Sequence, residues 1–386
     1  MIAVIADDLT GAAELGGIAL QFGLKVEITT SVNHHSDVDV MIIATDTRSL
    51  AQEEAISVTR QTCRQLLKLK PALIFKKIDS VLRGHVLAEI RVHQEIFNEP
   101  KALIIPANPS LGRTINNGEY LLHGNLIHQS DFANDPEFPI QSSGIRHMLR
   151  SKGEAVHVLK SFEPLPEEGF IVGEVLNKND LRAWTTHISG DTVVSGAAEF
   201  FTAILERSYT KVSSTQHEDF SFSKPLFIVR GSAYYGFENQ PQVFSKKSFP
   251  FYETPIDITG RNWLQSDGCI QLVKDISSDL LQFGKAGLNI PSKEKLSYAD
   301  PLLLRTRIAE LCGMIASHCP PSELIIEGGS TAAAILRALD ISTIYPIQSL
   351  GTGVLRMAVE NIPGLHITVK PGSYAWPDAL TTALGN

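Results

Sequence analysis

Ile2-Ala3-Val4-Ile5-Ala6-Asp7-Asp8-Leu9-Thr10-Gly11-Ala12 opens the chain with five apolar residues, two adjacent aspartates, and a segment in which Ala and Leu recur at helical spacing. An apolar run without alternation reads as a strand buried on both faces, and Thr10 to Gln21 reads as the helix that covers it, with Gly23 where a C-terminal glycine is expected. The unit then repeats. Further strands are predicted at 25–30, 38–45, 72–78 and 102–107, with a helix from Leu50 to Leu69 between them. Short apolar runs alternating with helical segments are the signature of parallel strands joined by crossover helices, so the first domain is α/β. From about 115 to 150 the pattern gives way to a polar stretch. It returns with Val156–Val158, Phe170–Val172 and the helix-like Ala197 to Glu206.

The polar segment Ser208 to Lys224 separates this region from a second one with apolar runs at 226–229, 323–326 and 365–369, a helical pattern over 301–318, and another opening at Ser330. With 386 residues and 43% hydrophobic content there is material for two cores. The expected organisation is two α/β domains, 1–215 and 216–386, with mainly parallel sheets facing each other across a cleft. Thirty-four basic against forty-two acidic residues give a net charge of −8, which supplies no global basic field for nucleic acid. Four cysteines without C-x-x-C spacing are expected to be free thiols in a reducing compartment. The first residues form no basic leader and no run reaches about 18 apolar residues, so a cytoplasmic protein without membrane partners is expected, with a homodimer as a possible assembly.

In parallel sheets ligands bind beyond the carboxyl ends of the strands, so the residues that follow each strand carry the information. The first strand runs into Asp7-Asp8, the third into Asp46-Thr47-Arg48-Ser49, the fourth, past Lys77, into Asp79-Ser80-Val81-Leu82-Arg83-Gly84, and the fifth into Asn108 and Gly112-Arg113. Carboxylates, guanidiniums and hydroxyls therefore gather at one edge. Adjacent carboxylates can hold substrate hydroxyls and accept a proton during attack; the plainer reading is an acidic helix start with Thr10 as its cap. Likewise Lys77, Asp79 and Arg83 read either as a surface ion-pair cluster or as a grip on a small carboxylate or phosphate.

In the second domain Leu324-Ile325-Ile326-Glu327 precedes Gly328-Gly329-Ser330-Thr331 and a helix, which places free N–H groups and a helix start beside two glycines. That suits nucleotide phosphates, although a serine-capped turn has the same pattern. Gly351-Thr352-Gly353 and Lys370-Pro371-Gly372-Ser373 form two later glycine turns. The chain has no G-x-x-x-x-G-K-[ST], H-E-x-x-H or G-x-S-x-G, and no dinucleotide glycine fingerprint after the first strand. Its twelve histidines are scattered, so no metal site built by protein alone is expected.

Together, Ile5 to Ala12, Asp46-Thr47-Arg48-Ser49, Lys76 to Gly84, Pro106-Ala107-Asn108 with Gly112-Arg113-Thr114, Gly231-Ser232 and Gly328-Gly329-Ser330-Thr331 resemble the four-carbon acid sugar kinase family, in the family's order and over nearly the whole chain. The resemblance implies an N-terminal domain that binds a four-carbon sugar acid such as threonate, erythronate or 3-oxo-tetronate. It implies a C-terminal domain that binds ATP with Mg²⁺, and transfer to the acid's terminal hydroxyl. On this reading Asp7, Asp8, Arg48, Lys77, Asp79, Ser80 and Arg83 meet the acid, with Asp8, Asp79 and Arg83 catalytic. Ser232, Gly328, Gly329, Ser330, Thr331, Gly351, Gly353 and Gly372 meet the nucleotide. The alternatives are a sugar-acid sensor that has lost ATP turnover, and a hydroxy-acid dehydrogenase suggested by the α/β architecture alone.

Overall fold

A computed structural model describes all residues except 136, 152, 213–220, 232–243, 245–248, 291–299, 373 and 386, with backbone alone at 256, 301 and 385. The chain divides into two compact units, Met1–Val212 and Ser213–Asn386.

The sheet of the first unit contains β1 (Ile2–Ala6), β2 (Val26–Thr29), β3 (Val40–Ala44), β4 (Leu73–Lys77), β5 (Lys101–Ile105), β9 (Val156–Leu159), β10 (Gly169–Gly173) and β11 (Thr192–Gly196). Their order is β2-β3-β1-β4-β11-β5-β10-β9, and every pairing is parallel. β1, β3 and most of β4 and β5 are buried, as strands covered on both faces must be. Helices α1 (Leu9–Gln21), α2 (Gln52–Leu69), α3 (Val86–Phe97), α5 (Lys178–Thr185) and α6 (Ala198–Leu205) provide the cover, and α4 (Ile145–Met148) is a single turn. Gly23 sits just past the end of α1 at φ 71°, the left-handed conformation that stops the helix without a Cβ penalty.

The predicted strands and helices of this unit are present within a few residues of their expected ends. One strand of this parallel sheet was not anticipated. β11, with two valines and a Ser-Gly end, inserts between β4 and β5. The polar stretch after β5 is also structured: β6 (Arg113–Asn116), β7 (Glu119–Leu122) and β8 (Asn125–Leu126) form a small antiparallel sheet. Its Tyr120 and Ile115 reach into the same core as Ile78 and Val81.

In the second unit the order is β13 (Phe251–Glu253), β14 (Lys285–Asn289), β12 (Leu226–Arg230), β15 (Glu323–Glu327), β18 (His366–Lys370), β17 (Val354–Val359), β16 (Thr343–Gly351). The first five are parallel and the last two antiparallel, joined by a hairpin at Gly351–Gly353. Helices α7 (Asp267–Phe283), α8 (Pro301–His318), α9 (Gly329–Ala338) and α10 (Asp378–Gly385) accompany them. Among the described residues no helix is long and apolar enough to cross a membrane, and all four cysteines are free and buried.

Candidate functional site

The chain reverses its direction of travel across the first sheet at β1, whose neighbours are β3 and β4. Such a switch point leaves a crevice at the carboxyl ends, and the residues following these three strands fill it. Asp8, extended at φ −149°, caps α1: its Oδ1 accepts from the Gly11 N–H at 2.9 Å and its Oδ2 takes the Thr10 hydroxyl. This corrects the expectation that Thr10 is the cap. The reason is that α1 starts one residue earlier, which puts Thr10 in the first turn. Gly11 has no substitute here, since a Cβ would lie 2.6 Å from Asp8 Oδ1 and 3.0 Å from Lys77 Nζ.

Arg48 reaches this site because the loop after β3 is tied to β1, with the Thr45 N–H donating to the Ala6 carbonyl and the Arg48 N–H to that of Asp7. Its Nε and Nη2 grip Asp7 at 2.9 and 2.8 Å, Nη2 also donates to Asp8 at 2.8 Å, and Nη1 stands 3.7 Å from Asp79. One guanidinium thus serves three carboxylates. Gly84, at φ 85°, lets the chain after β4 pass Arg48, where a Cβ would come within 3.1 Å of its Cγ.

After β4 the chain makes a tight turn around Asp79, whose Oδ2 accepts from the backbone N–H groups of Val81 and Arg83. The Arg83 side chain returns to the same carboxylate through Nε and Nη2 at 3.0 and 2.8 Å, and its Nη1 donates to Asp135 at 2.9 Å. Ser80 accepts from Arg113 at 2.6 Å, and its carbonyl receives the Tyr120 hydroxyl. Strand alternation separates the two lysines. Lys76 turns to α3 and pairs with buried Glu89 at 2.5 Å, whereas Lys77 turns to α1, donating to the Ile78 carbonyl at 3.0 Å with Glu14 3.7 Å away.

All seven residues expected to meet the acid therefore lie in this connected cluster, and most are buried. Arg113, Tyr120, Asp135 and Glu14 belong to it as well, although sequence reading gave them no role. Burial alone raises carboxylate pKa values. For Asp7 burial wins over the Arg48 charge, and its pKa is raised. For Asp8 burial is outweighed by Arg48, Lys77 and the Thr10 hydrogen bond, and its pKa is lowered. For Asp79 burial is outweighed by Arg83 and Arg48, and its carboxyl lies well below the usual range.

In the second unit the carboxyl ends of three adjacent strands converge. Glu327, at the end of β15, accepts from Arg230 of β12 at 2.9 Å and from Lys370 of β18 at 2.8 Å, all three being buried. Among the described residues Arg230 and Lys370 thus bracket the Glu327 carboxylate just before Gly328. Gly328 adopts φ 105° and precedes α9 without a side-chain cap, and its N–H donates to the Lys370 carbonyl at 2.9 Å. The helix thus begins at Gly329 rather than Ser330, so no serine cap consumes its first donors. Gly353, at φ 68°, and Gly351 pack toward the segment after β18, with Cβ positions 2.8 Å from Tyr374 and 2.6 Å from Pro377 respectively. Gly372 lies in that segment, and Ser232 lies outside the described residues. Arg230 went unremarked in the sequence, although its position at a strand end before Gly231 was a usable signal.

Gly231 lies tight against α9, since a Cβ would lie 2.1 Å from Thr331 Oγ1 and 2.5 Å from its Cβ. Gly231→Ala is therefore expected to force β12 away from α9 and to destabilise the protein by about 1–3 kcal/mol, read as a lower urea midpoint. An unchanged midpoint would show that this contact yields freely.

These two strand-end clusters set the terms for comparison with known proteins. The family model of the sugar-binding N-terminal domain matches residues 2–192, which contain every strand of the first sheet except β11, of which they include only the first residue. The D-threonate kinase of Salmonella typhimurium is 32% identical over 154 residues, 39% of this chain and 36% of that protein. The D-erythronate kinase of Heliobacterium modesticaldum is 31% identical and is likewise covered over 36% of its length. The chain thus spans about a third of the length of these two relatives. The D-threonate kinase of Bordetella bronchiseptica is 21% identical over 99% of this chain and 96% of its own. Among solved structures, a Haemophilus influenzae protein of the DUF1537 family shares the fold with a TM-score of 0.74 at 17% identity, covering 99% of both chains. The match to the sugar-binding domain covers the strand ends that carry Asp7, Asp8, Arg48, Asp79 and Arg83, and the likeness to named kinases extends beyond it, which together support the four-carbon acid sugar kinase family for this chain.

Proposed function

We propose that this protein is an ATP-dependent kinase that phosphorylates the terminal, 4-hydroxyl of a four-carbon sugar acid of the threonate, erythronate or 3-oxo-tetronate type. The single observation that carries the reading is the switch-point cluster, in which buried carboxylates alternate with guanidiniums at the carboxyl ends of the strands: carboxylates to receive the hydroxyls of a polyol, and Arg83 to receive its carboxylate. The relatives named for these acids support the substrate class.

Phosphoryl transfer passes through a loose transition state and asks the protein mainly for position and charge. Asp8, the most exposed of the three aspartates by side chain and with Oδ2 engaged by Thr10 alone among the described residues, accepts the hydrogen of the attacking hydroxyl. A depressed pKa suits this role: with little bond formed to the nucleophile, the proton leaves late, and Asp8 first orients the hydroxyl. Asp7 and Asp79, locked by Arg48 and Arg83, fix the remaining hydroxyls, and Lys77 and Arg48 offset the charge.

The second unit has the features an anionic nucleotide needs. Among the described residues no side chain caps the helix start that presents the Gly329 to Thr331 N–H groups, Gly328 carries no Cβ at a positive-φ turn, and Arg230 and Lys370 flank the Glu327 carboxylate before it. When bound, Mg-ATP supplies the transferable phosphoryl group, with the metal neutralising charge between phosphates. Among the described residues no cluster of three or more His, Cys, Asp or Glu is placed to hold a metal.

A coupled ADP-release screen of the protein with Mg-ATP and a panel of C4 sugar acids tests the reading; release with none of them would overturn it. Calorimetric titration of Mg-ATP into Gly329→Asp tests the nucleotide assignment. A carboxylate beside the phosphates is expected to weaken binding at least about tenfold, and unchanged affinity would place the nucleotide elsewhere.

A further inference from the structure

Arg83, the residue that the proposed function assigns to the substrate's carboxylate, already holds a second carboxylate from this chain. Its Nε and Nη2 are bound to Asp79, four residues away and fixed by the backbone of the same turn. Its outer nitrogen, Nη1, donates instead to Asp135 Oδ2 at 2.9 Å, from a segment 52 residues further along the chain. Of the charged side chains that build the cluster, Arg83 is also the more exposed, at 27% against 14% for Arg48. We propose that Asp135 is an internal stand-in for the ligand's carboxylate, neutralising the outer edge of Arg83 when the site is empty and yielding it when the acid binds.

The local structure is suited to such an exchange. Asp135 divides its labour between its oxygens: Oδ1 accepts from the N–H groups of Glu137 and Phe138 at 3.0 and 2.7 Å, and Oδ2 faces Arg83. The turn therefore does not depend on the Arg83 contact. Arg83 keeps its direction without Asp135 as well. Asp79 holds it from one side, and the Phe132 ring lies 6.0 Å from its guanidinium and 5.4 Å from that of Arg113. Swapping one carboxylate for another at Nη1 conserves charge and hydrogen-bond number. The consequence is selectivity: a neutral polyol would have to leave the Arg83–Asp135 pair in place, and only a ligand with its own carboxylate can replace it.

Asp135→Asn is the discriminating variant, because its side-chain oxygen can keep the turn while an amide N–H₂ faces Arg83 and cannot pair with it. By calorimetry and thermal shift, D-threonate and D-erythronate are expected to bind this variant about three- to tenfold more tightly than wild type, with a lower KM wherever turnover is seen. The neutral polyols threitol and erythritol should show no such gain. Equal or weaker acid binding by the variant overturns the proposal, as does a failure of both proteins to bind either acid, since freeing Arg83 should expose a carboxylate site. Asp135→Ser, whose hydroxyl can also cap the turn, replaces it if the Asn protein does not fold. The inference rests on the kinase reading only for the role of Arg83. Acid binding without ADP release would defeat that reading alone, and ADP release with unaltered acid affinity in the variant would defeat this one alone.

Discussion

Replacing Asp8 with Asn is expected to lower ADP release about 10²- to 10⁴-fold while acid binding and folding persist. The structure makes this a clean exchange. Oδ1 takes both the Gly11 N–H and the Arg48 Nη2 donors, so the amide oxygen of Asn can retain them, and Asn caps a helix about as well as Asp. What changes is Oδ2, on which the described residues place the Thr10 hydroxyl alone, and which becomes an N–H₂ unable to receive a proton. Steady-state kinetics with the best acid of the panel, together with the melting temperature, decide the matter. Turnover at the wild-type rate, or a change confined to ATP affinity, would remove Asp8 from the reaction.

Arg48→Ala should produce the largest loss of stability, about 3–5 kcal/mol at pH 7 in urea unfolding, because it leaves Asp7, Asp8 and Asp79 buried without the cation they share. The pH dependence follows from the shifts. Asp8 and Asp79 are depressed in the folded protein, so the stability they contribute is present above the unfolded value of about 3.9 and is lost as pH falls through their folded values. Asp7 is raised, so its burial costs stability above that unfolded value, and the cost is relieved on acidification. Without Arg48 all three lose a lowering influence, while Arg83 still holds Asp79 and Lys77 and Thr10 still support Asp8. The deficit of the variant relative to wild type should therefore be greatest near neutrality and shrink as pH approaches 4. A variant as stable as wild type at pH 7 would mean that the three carboxylates do not depend on Arg48.

Local sequence determined much of this protein, because the signals it carries are themselves local. Five unbroken apolar residues before Asp7-Asp8, helical periodicity after them, and Gly23 at the end dictate a strand, a helix and a stop whatever surrounds them. Repeated along the chain, that pattern dictates parallel strands, and parallel strands place their carboxyl ends on one edge. This is why the aspartates and arginines of the first unit could be gathered before any coordinates. The glycines before α9 were legible for the same reason, as a strand, a turn and a helix in immediate succession.

Tertiary structure decided which charge answers which. Arg48 and Asp7 are 41 positions apart, Arg83 and Asp135 are 52, and Arg230 and Glu327 are 97, and no periodicity links them. Strand β11, with only two valines, takes its place from the gap between β4 and β5 rather than from its own pattern. The polar stretch beyond β5 gains structure by lending Tyr120 and Ile115 to a core built elsewhere. The protonation tendencies are the clearest case. Asp7 and Asp8 are chemically identical neighbours, yet one is pushed up and the other down, because burial acts on both while Lys77 and Thr10 support only Asp8, and those partners exist only once β1, β4 and α1 have packed together.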